Sequence, residues 1–219
     1  MDLKNLPDIL KFGEVTGEGK KISIVTPIAR ASFVKLVDAE SWKGGPAKFS
    51  IDLIFETDQN ASAAVDVYKT MVPAVISAAA ANRVKPDNRD DGLHFGKNHI
   101  FRIGEKFTRE GKPYSGYTPT TMAMKLSKRE EFVDAPEFPC YDTLGQLISP
   151  SKIYGGCYVR ARFSTSYSET FDTFSVHLDN VQFVADGEPF GVAAAGMDAL
   201  PGATPPMEDD PLSAFKANN

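Results

Sequence analysis

Tyr158, Arg160 and Arg162 alternate along Gly156-Cys157-Tyr158-Val159-Arg160-Ala161-Arg162-Phe163, and this spacing is the strongest chemical signal in the chain. In a β-strand successive side chains point to opposite faces, so Cys157, Val159, Ala161 and Phe163 face a core. Tyr158, Arg160 and Arg162 then share the outward face, about 7 Å apart by the two-residue rise. One ring and two guanidinium groups in a row suit a single-stranded nucleic acid. Bases stack on the ring or on an arginine plane while the second arginine meets a phosphate. The same row also suits a plain solvated sheet face whose arginines pair with neighbouring acids.

Aromatic and basic residues interleave elsewhere: Lys97, Phe101 and Arg102; Lys106, Phe107 and Arg109; Lys112, Tyr114 and Tyr117. Phe101 reads as core, because Ile100 and Ile103 beside it are apolar. Tyr114 and Tyr117 sit in a Gly/Pro/Ser loop and serve equally well as stacking platforms or as packing. Trp42, the single tryptophan, lies in the basic loop Trp42-Lys43-Gly44-Gly45-Pro46, as a rim anchor or a ligand contact. With Lys48 just after that loop and Tyr154 just before the alternating strand, these residues complete the candidate nucleic-acid contacts.

Catalytic motifs fail on spacing. A phosphate loop over Gly13–Lys21 needs glycine where Glu14 stands and Ser or Thr where Lys21 stands. His94 and His99 do not share a helical face, and no third metal ligand stands out. Asp90-Asp91 beside Arg89 and Gly92 reads as a turn. No Ser or Cys lies in a nucleophile elbow. The sequence therefore predicts no catalysis, no metal and no cofactor.

Cys140 and Cys157 lie apart from any paired-ligand spacing, and no signal peptide or membrane span is apparent, which points to a reducing cytoplasm. From Asp186 onward six acids (Asp186, Glu188, Asp198, Glu208, Asp209, Asp210) stand against Lys216 alone, which accounts for the whole net charge of −5. A Gly/Ala/Pro-rich, disordered tail over 191–219 follows from this composition. Its Glu208, Asp209, Asp210, Leu212 and Phe215 suit docking of a protein partner or competition with a polyanion for a basic groove. It also suits the simpler role of a solubilising end.

Strand signals lie at Ile22–Val25, Ala31–Val37 and Ala47–Phe55. In the last, Phe49, Ile51, Leu53 and Phe55 face one way and Lys48, Ser50, Asp52 and Ile54 the other. Asp58 or Asn60 can cap a helix over about 60–83, which Pro73 should kink. Residues 84–150 read as loop-rich, with short strands at Ile100–Ile103 and Met122–Leu126. Tyr158–Phe163 and Phe174–Val184 complete a mainly β chain, a barrel or sandwich with one main helical insertion and long loops.

Three stretches resemble a family of phage single-stranded DNA-binding proteins with an OB fold. They are Tyr154-Gly155-Gly156-Cys157-Tyr158-Val159-Arg160-Ala161, the run Leu178–Ala185 with Asp186-Gly187-Glu188-Pro189-Phe190, and, less closely, Gly44–Phe55. The resemblance implies an OB-type β-barrel over 1–190 that binds single strands without strong sequence preference in the host cytoplasm. It also implies an acidic tail for replication or recombination proteins. Homo-oligomers fit this class, and the rival reading is a protein-interaction module that does not touch DNA. In the bacterial pattern the tail phenylalanine is the final residue, whereas Lys216-Ala217-Asn218-Asn219 follow Phe215 here.

Overall fold

The alternation of Phe49, Ile51, Leu53 and Phe55 requires a strand with one buried face, and β4 (Lys48–Phe55) supplies it. A computed structural model describes residues 13–55, 67–96 and 98–190. β4 lies between β3 (Ala29–Glu40) and β8 (Met122–Arg129), antiparallel to both, with Ile51 opposite Leu126 and Leu53 opposite Met124. The buried members of these pairs share one core with Val159, Ala161 and Phe163 of β11 (Tyr158–Ser168) and with Leu178 and Val181 of β12 (Thr173–Ala185). Burying each large apolar side chain stabilises the fold by about 1.5–3 kcal/mol.

The remaining described strands are β1 (Glu14–Thr16), β2 (Ser23–Val25), β5 (Asp87–Arg89), β6 (Gly92–Phe95), β7 (Asn98–Ile103), β9 (Cys140–Tyr141) and β10 (Leu147–Ile148). All belong to one sheet of order β10-β9-β12-β11-β3-β4-β8-β7-β6-β5, with β2 pairing β11 and β1 off the main path. Among the described residues its end strands do not pair, so the expected barrel is not closed there by backbone hydrogen bonds. Side chains span part of the gap. Asn98 Nδ2 donates to the Phe174 carbonyl at 2.6 Å, and Lys128 Nζ pairs with Asp179 at 3.6 Å, joining β7 and β8 to β12.

The helix differs from expectation. A π-helical turn, Val67–Met71, leads into α1, Val72–Ala81, and Pro73 stands in the first turn of α1. The chain is already helical before it, with Met71 at φ −75° and ψ −45°, so the missing N–H of Pro73 falls in a continuous helical stretch, where π geometry passes to α. The proposed caps Asp58 and Asn60 lie outside the described residues. At the other end Asn82 Nδ2 donates to the carbonyls of Ala78 and Lys20, tying the helix to the loop before β2.

Residues 84–150 are also more regular than composition implied. β5, β6 and β7 form an antiparallel meander, and β7 pairs with β8. Asp90-Asp91 makes the turn between β5 and β6, as read from the sequence. Cys140 and Cys157 are buried free thiols, and burial pushes them up to about 12 and about 11. Among the described residues no helix is long and apolar enough to cross a membrane.

Candidate nucleic-acid interface

The outward face of β3, β4 and β8 is a ladder of cross-strand rows. Register places Arg30 beside Ile54 and Ile54 beside Ala123, then Ser32 beside Asp52 and Asp52 beside Lys125. Further along come Lys35, Ser50 and Ser127, and finally Glu40, Lys48 and Arg129. Paired residues share a face, so these rows gather charge that is scattered in the sequence. The sheet face divides into two halves.

One half is covered. The loop between β7 and β8 folds over Ile54 and Ala123, and Tyr117 packs there at 4% exposure with Tyr114 and Phe190. Tyr117 donates its hydroxyl to Asp52 Oδ2 at 3.3 Å, and Lys106 Nζ meets the same oxygen at 2.8 Å. Burial, with the Asp52 carboxylate adding to it, pushes the Tyr117 phenol well above its ordinary range. Tyr117 is therefore a packing residue, while Tyr114 is half-buried at the edge of the cover.

The other half is open. Lys48, Ser50, Lys125 and Ser127 floor a trench of about 540 Å³ whose wall is the loop carrying Trp42, 74% exposed. Ser41 Oγ donates to the Gly45 carbonyl, and Gly45 N donates to the Trp42 carbonyl, which fixes that loop. Past Lys48 and Arg129 the trench continues into a polar cleft of about 320 Å³ against Asn98, Ser175 and His177. Burial, assisted by Lys128, holds the His177 imidazole below its ordinary pKa. Exposed cations beside exposed rings can meet a flexible polyanion that also carries flat bases.

The Tyr158–Arg162 row is not presented as expected. Tyr158 and Arg160 are 8% and 6% exposed, and only Arg162 is open. A register shift falls between Tyr158 and Val159, and Tyr158 packs with Ile28 and Val184. Arg160 Nε donates to the Thr26 carbonyl at 2.9 Å, and burial lowers its pKa. Tyr154 is likewise engaged: its hydroxyl meets Asp186 Oδ1 at 3.1 Å and the Gly187 carbonyl at 3.0 Å. The alternation was read correctly on the core side, but cover over the outward side has no local sequence signal.

Arg102 is exposed, lies opposite Ala123, and donates to His99 Nδ1 at 3.2 Å. Lys97 and the tail residues Glu208, Asp209, Asp210, Leu212 and Phe215 lie outside the described residues. His94 and His99, set aside on helical spacing, are cross-strand partners in β6 and β7, with stacked rings 3.8 Å apart. Asp91 joins them, accepting from His94 Nε2 at 3.0 Å, and this bond holds its carboxyl low. Burial first, then Arg102, lowers the pKa of His99. The sequence offered no third ligand beside the two histidines, whereas the fold brings one potential ligand atom each from Asp91, His94 and His99 within 4.8 Å of one another.

Sequence reasoning missed Lys35, Lys125, Arg129 and Phe33. The first three needed strand register, and the last has its own backbone anomaly.

A mainly β chain with one antiparallel sheet and a cationic, aromatic-rimmed face defines the architectural class. The chain belongs to the family represented by the Enterobacter phage Enc34 ssDNA-binding protein, whose family model matches residues 22–210. The solved single-stranded DNA-binding protein from bacteriophage Enc34 is similar at 15% identity and TM-score 0.50, covering 84% of this chain and 97% of its own. Its C-terminal truncation is similar at 16% and 0.50, covering 80% and 95%. The same protein in complex with ssDNA aligns at 18% and 0.48, covering 80% and 96%. Comparison with curated proteins gives no match.

Proposed function

We propose that this chain binds single-stranded DNA, largely without regard to sequence, in phage DNA replication or recombination in the host cytoplasm, and that it does no chemistry. The observation that carries this reading is the open trench of Lys48, Lys125 and Arg129 beside the exposed Trp42, in a chain of this family. Phosphates meet the cations and bases stack on the rims. Arg102, Arg162 and Lys97 are kept as further phosphate contacts, while Tyr154, Tyr158, Arg160 and Tyr117 act by holding the fold.

The architecture supports an OB-type reading. The meander β3-β4-β8 is followed by the β11-β12 hairpin, β11 pairs with β2 and β3, and side chains link β12 back to β8. In such folds the outer face of the second and third barrel strands takes single strands, and here those strands are β4 and β8. One binding domain over 1–190 and an acidic arm over 191–219 complete the assignment. The arm recruits replication proteins and competes with DNA for the trench, and self-association on a shared strand fits the same role.

Trp42 is the single tryptophan, so its fluorescence reports on the trench. Oligo-dT should quench it, with an affinity that falls steeply as salt rises. No response at low salt would favour the protein-interaction reading. Cutting after Pro206 should leave the fold intact and tighten oligo-dT binding at low salt, because a tethered anionic competitor has been removed. The gain should shrink as salt screens the arm. Weaker binding at every salt concentration would mean that the arm helps to form the surface.

A further inference from the structure

Phe33 breaks three local rules at one spot. It is a bulky residue at φ +46°, a region that phenylalanine rarely occupies. It lies in a stretch of β3 where the register to β4 shifts between Ser32 and Lys35, so a bulge aims its side chain outward. The residue is also 36% exposed, and its ring stands beside Tyr114 with centroids 4.8 Å apart and the planes at 84°. Beneath it Asp52 is buried at 6% exposure, and its Oδ1 has no hydrogen-bond partner among the described residues. Lys106 connects these features: its ammonium lies 3.6 Å from the Phe33 ring centre and 2.8 Å from Asp52 Oδ2.

A strained backbone, an exposed aromatic and an orphaned carboxylate oxygen each cost folding energy. Natural sequences keep such violations together where the geometry serves binding. Their position supports that explanation, because Lys35 and Lys125 flank the spot on the outward face of the sheet.

We propose that Phe33 and Lys106 form a single-nucleotide subsite, deepening the single-strand reading on which it rests. A base stacks on the exposed part of the Phe33 ring, at the Tyr114 edge. Its phosphate takes the Lys106 ammonium, which Asp52 holds in place until DNA arrives. The bulge is retained because only the re-aimed ring can reach a base.

The test uses Phe33→Gly, which relaxes the positive φ while removing the ring, and Phe33→Trp, which keeps a stacking face. Each full-length variant is titrated with oligo-dT and with an abasic oligonucleotide of equal length, and its urea midpoint is measured. Phe33→Gly should bind oligo-dT about 5- to 150-fold more weakly, the range expected for loss of one stacked base. It should bind the abasic strand as the wild type does and keep its midpoint, while Phe33→Trp restores oligo-dT affinity. Equal oligo-dT affinity for wild type and Phe33→Gly overturns the subsite and leaves the DNA-binding reading standing. A lowered midpoint with both strands weakened alike makes Phe33 structural and also overturns it. If the wild type binds neither strand, the DNA-binding reading itself fails.

Discussion

Replacing Lys48, Lys125 and Arg129 together by alanine should lower the slope of log K against log salt for oligo-dT by about 2, at roughly 0.7 per single-strand phosphate contact. A fourfold rise in salt should then weaken the wild type roughly 20-fold more than the variant. Folding should be nearly unaffected. Lys48, Lys125 and Arg129 are exposed, and the ion pair of Arg129 with Glu131 is a surface pair of small worth. Removing the exposed Lys20, Lys85 and Lys152 instead subtracts equal charge from outside the trench and should leave the slope close to wild type. Salt titrations followed by fluorescence polarisation of a labelled oligonucleotide separate the two. If both triple variants lose slope equally, the affinity comes from diffuse charge and the trench is not the site.

That prediction uses residues the sequence names only in part. Lys48 was visible beside a strand with clear alternation, and Trp42 beside a Gly-Gly-Pro loop. Lys125 and Arg129 gain meaning only when register sets them against Asp52 and Lys48. Strand cores were legible because period two is a local property: Phe49, Ile51, Leu53, Val159, Ala161 and Phe163 are all buried. Outward faces were less legible, because what covers them comes from far along the chain. Asp52 and Ile54 read as solvent-facing but lie under residues of the β7–β8 loop. His94 and His99 were judged by a helical rule, whereas a hairpin makes them direct neighbours. Phe33 left no trace, since a positive φ at a non-glycine residue has no compositional mark.

Two of the three stretches that carry the family resemblance, 154–161 and 178–190, prove to be two sides of one contact, and this gives the prediction with the largest effect on stability. Gly156 stands at φ +110°, and a Cβ there would lie 2.1 Å from the Glu188 carbonyl oxygen. Gly187 repeats the relation from the other side, since its Cβ would lie 2.1 Å from the Gly156 carbonyl oxygen. Backbone therefore packs directly on backbone, secured by Phe190 N donating to the Gly155 carbonyl and by Arg30 donating to the carbonyls of Gly156 and Glu188. Beyond this contact Phe190 lies 4.1 Å from the Arg30 guanidinium and packs with Tyr114 and Tyr117, which cover the half of the sheet face next to the trench. Gly156→Ala should lower stability by at least about 3 kcal/mol, because the strained φ and the clash with main chain leave no side chain free to yield. Where enough folded protein survives, expulsion of the 186–190 turn removes Phe190 from the cluster that holds Tyr114 and Tyr117 over the sheet, so oligo-dT affinity should fall as well. Gly155→Ala, whose Cβ meets only the Phe190 side chain at 3.9 Å, should be tolerated by comparison. Urea midpoints and oligo-dT titrations on the two variants read both effects. An unchanged midpoint for Gly156→Ala would show that the turn is not held by this contact, and the mechanical link from the family signature to the trench would be lost.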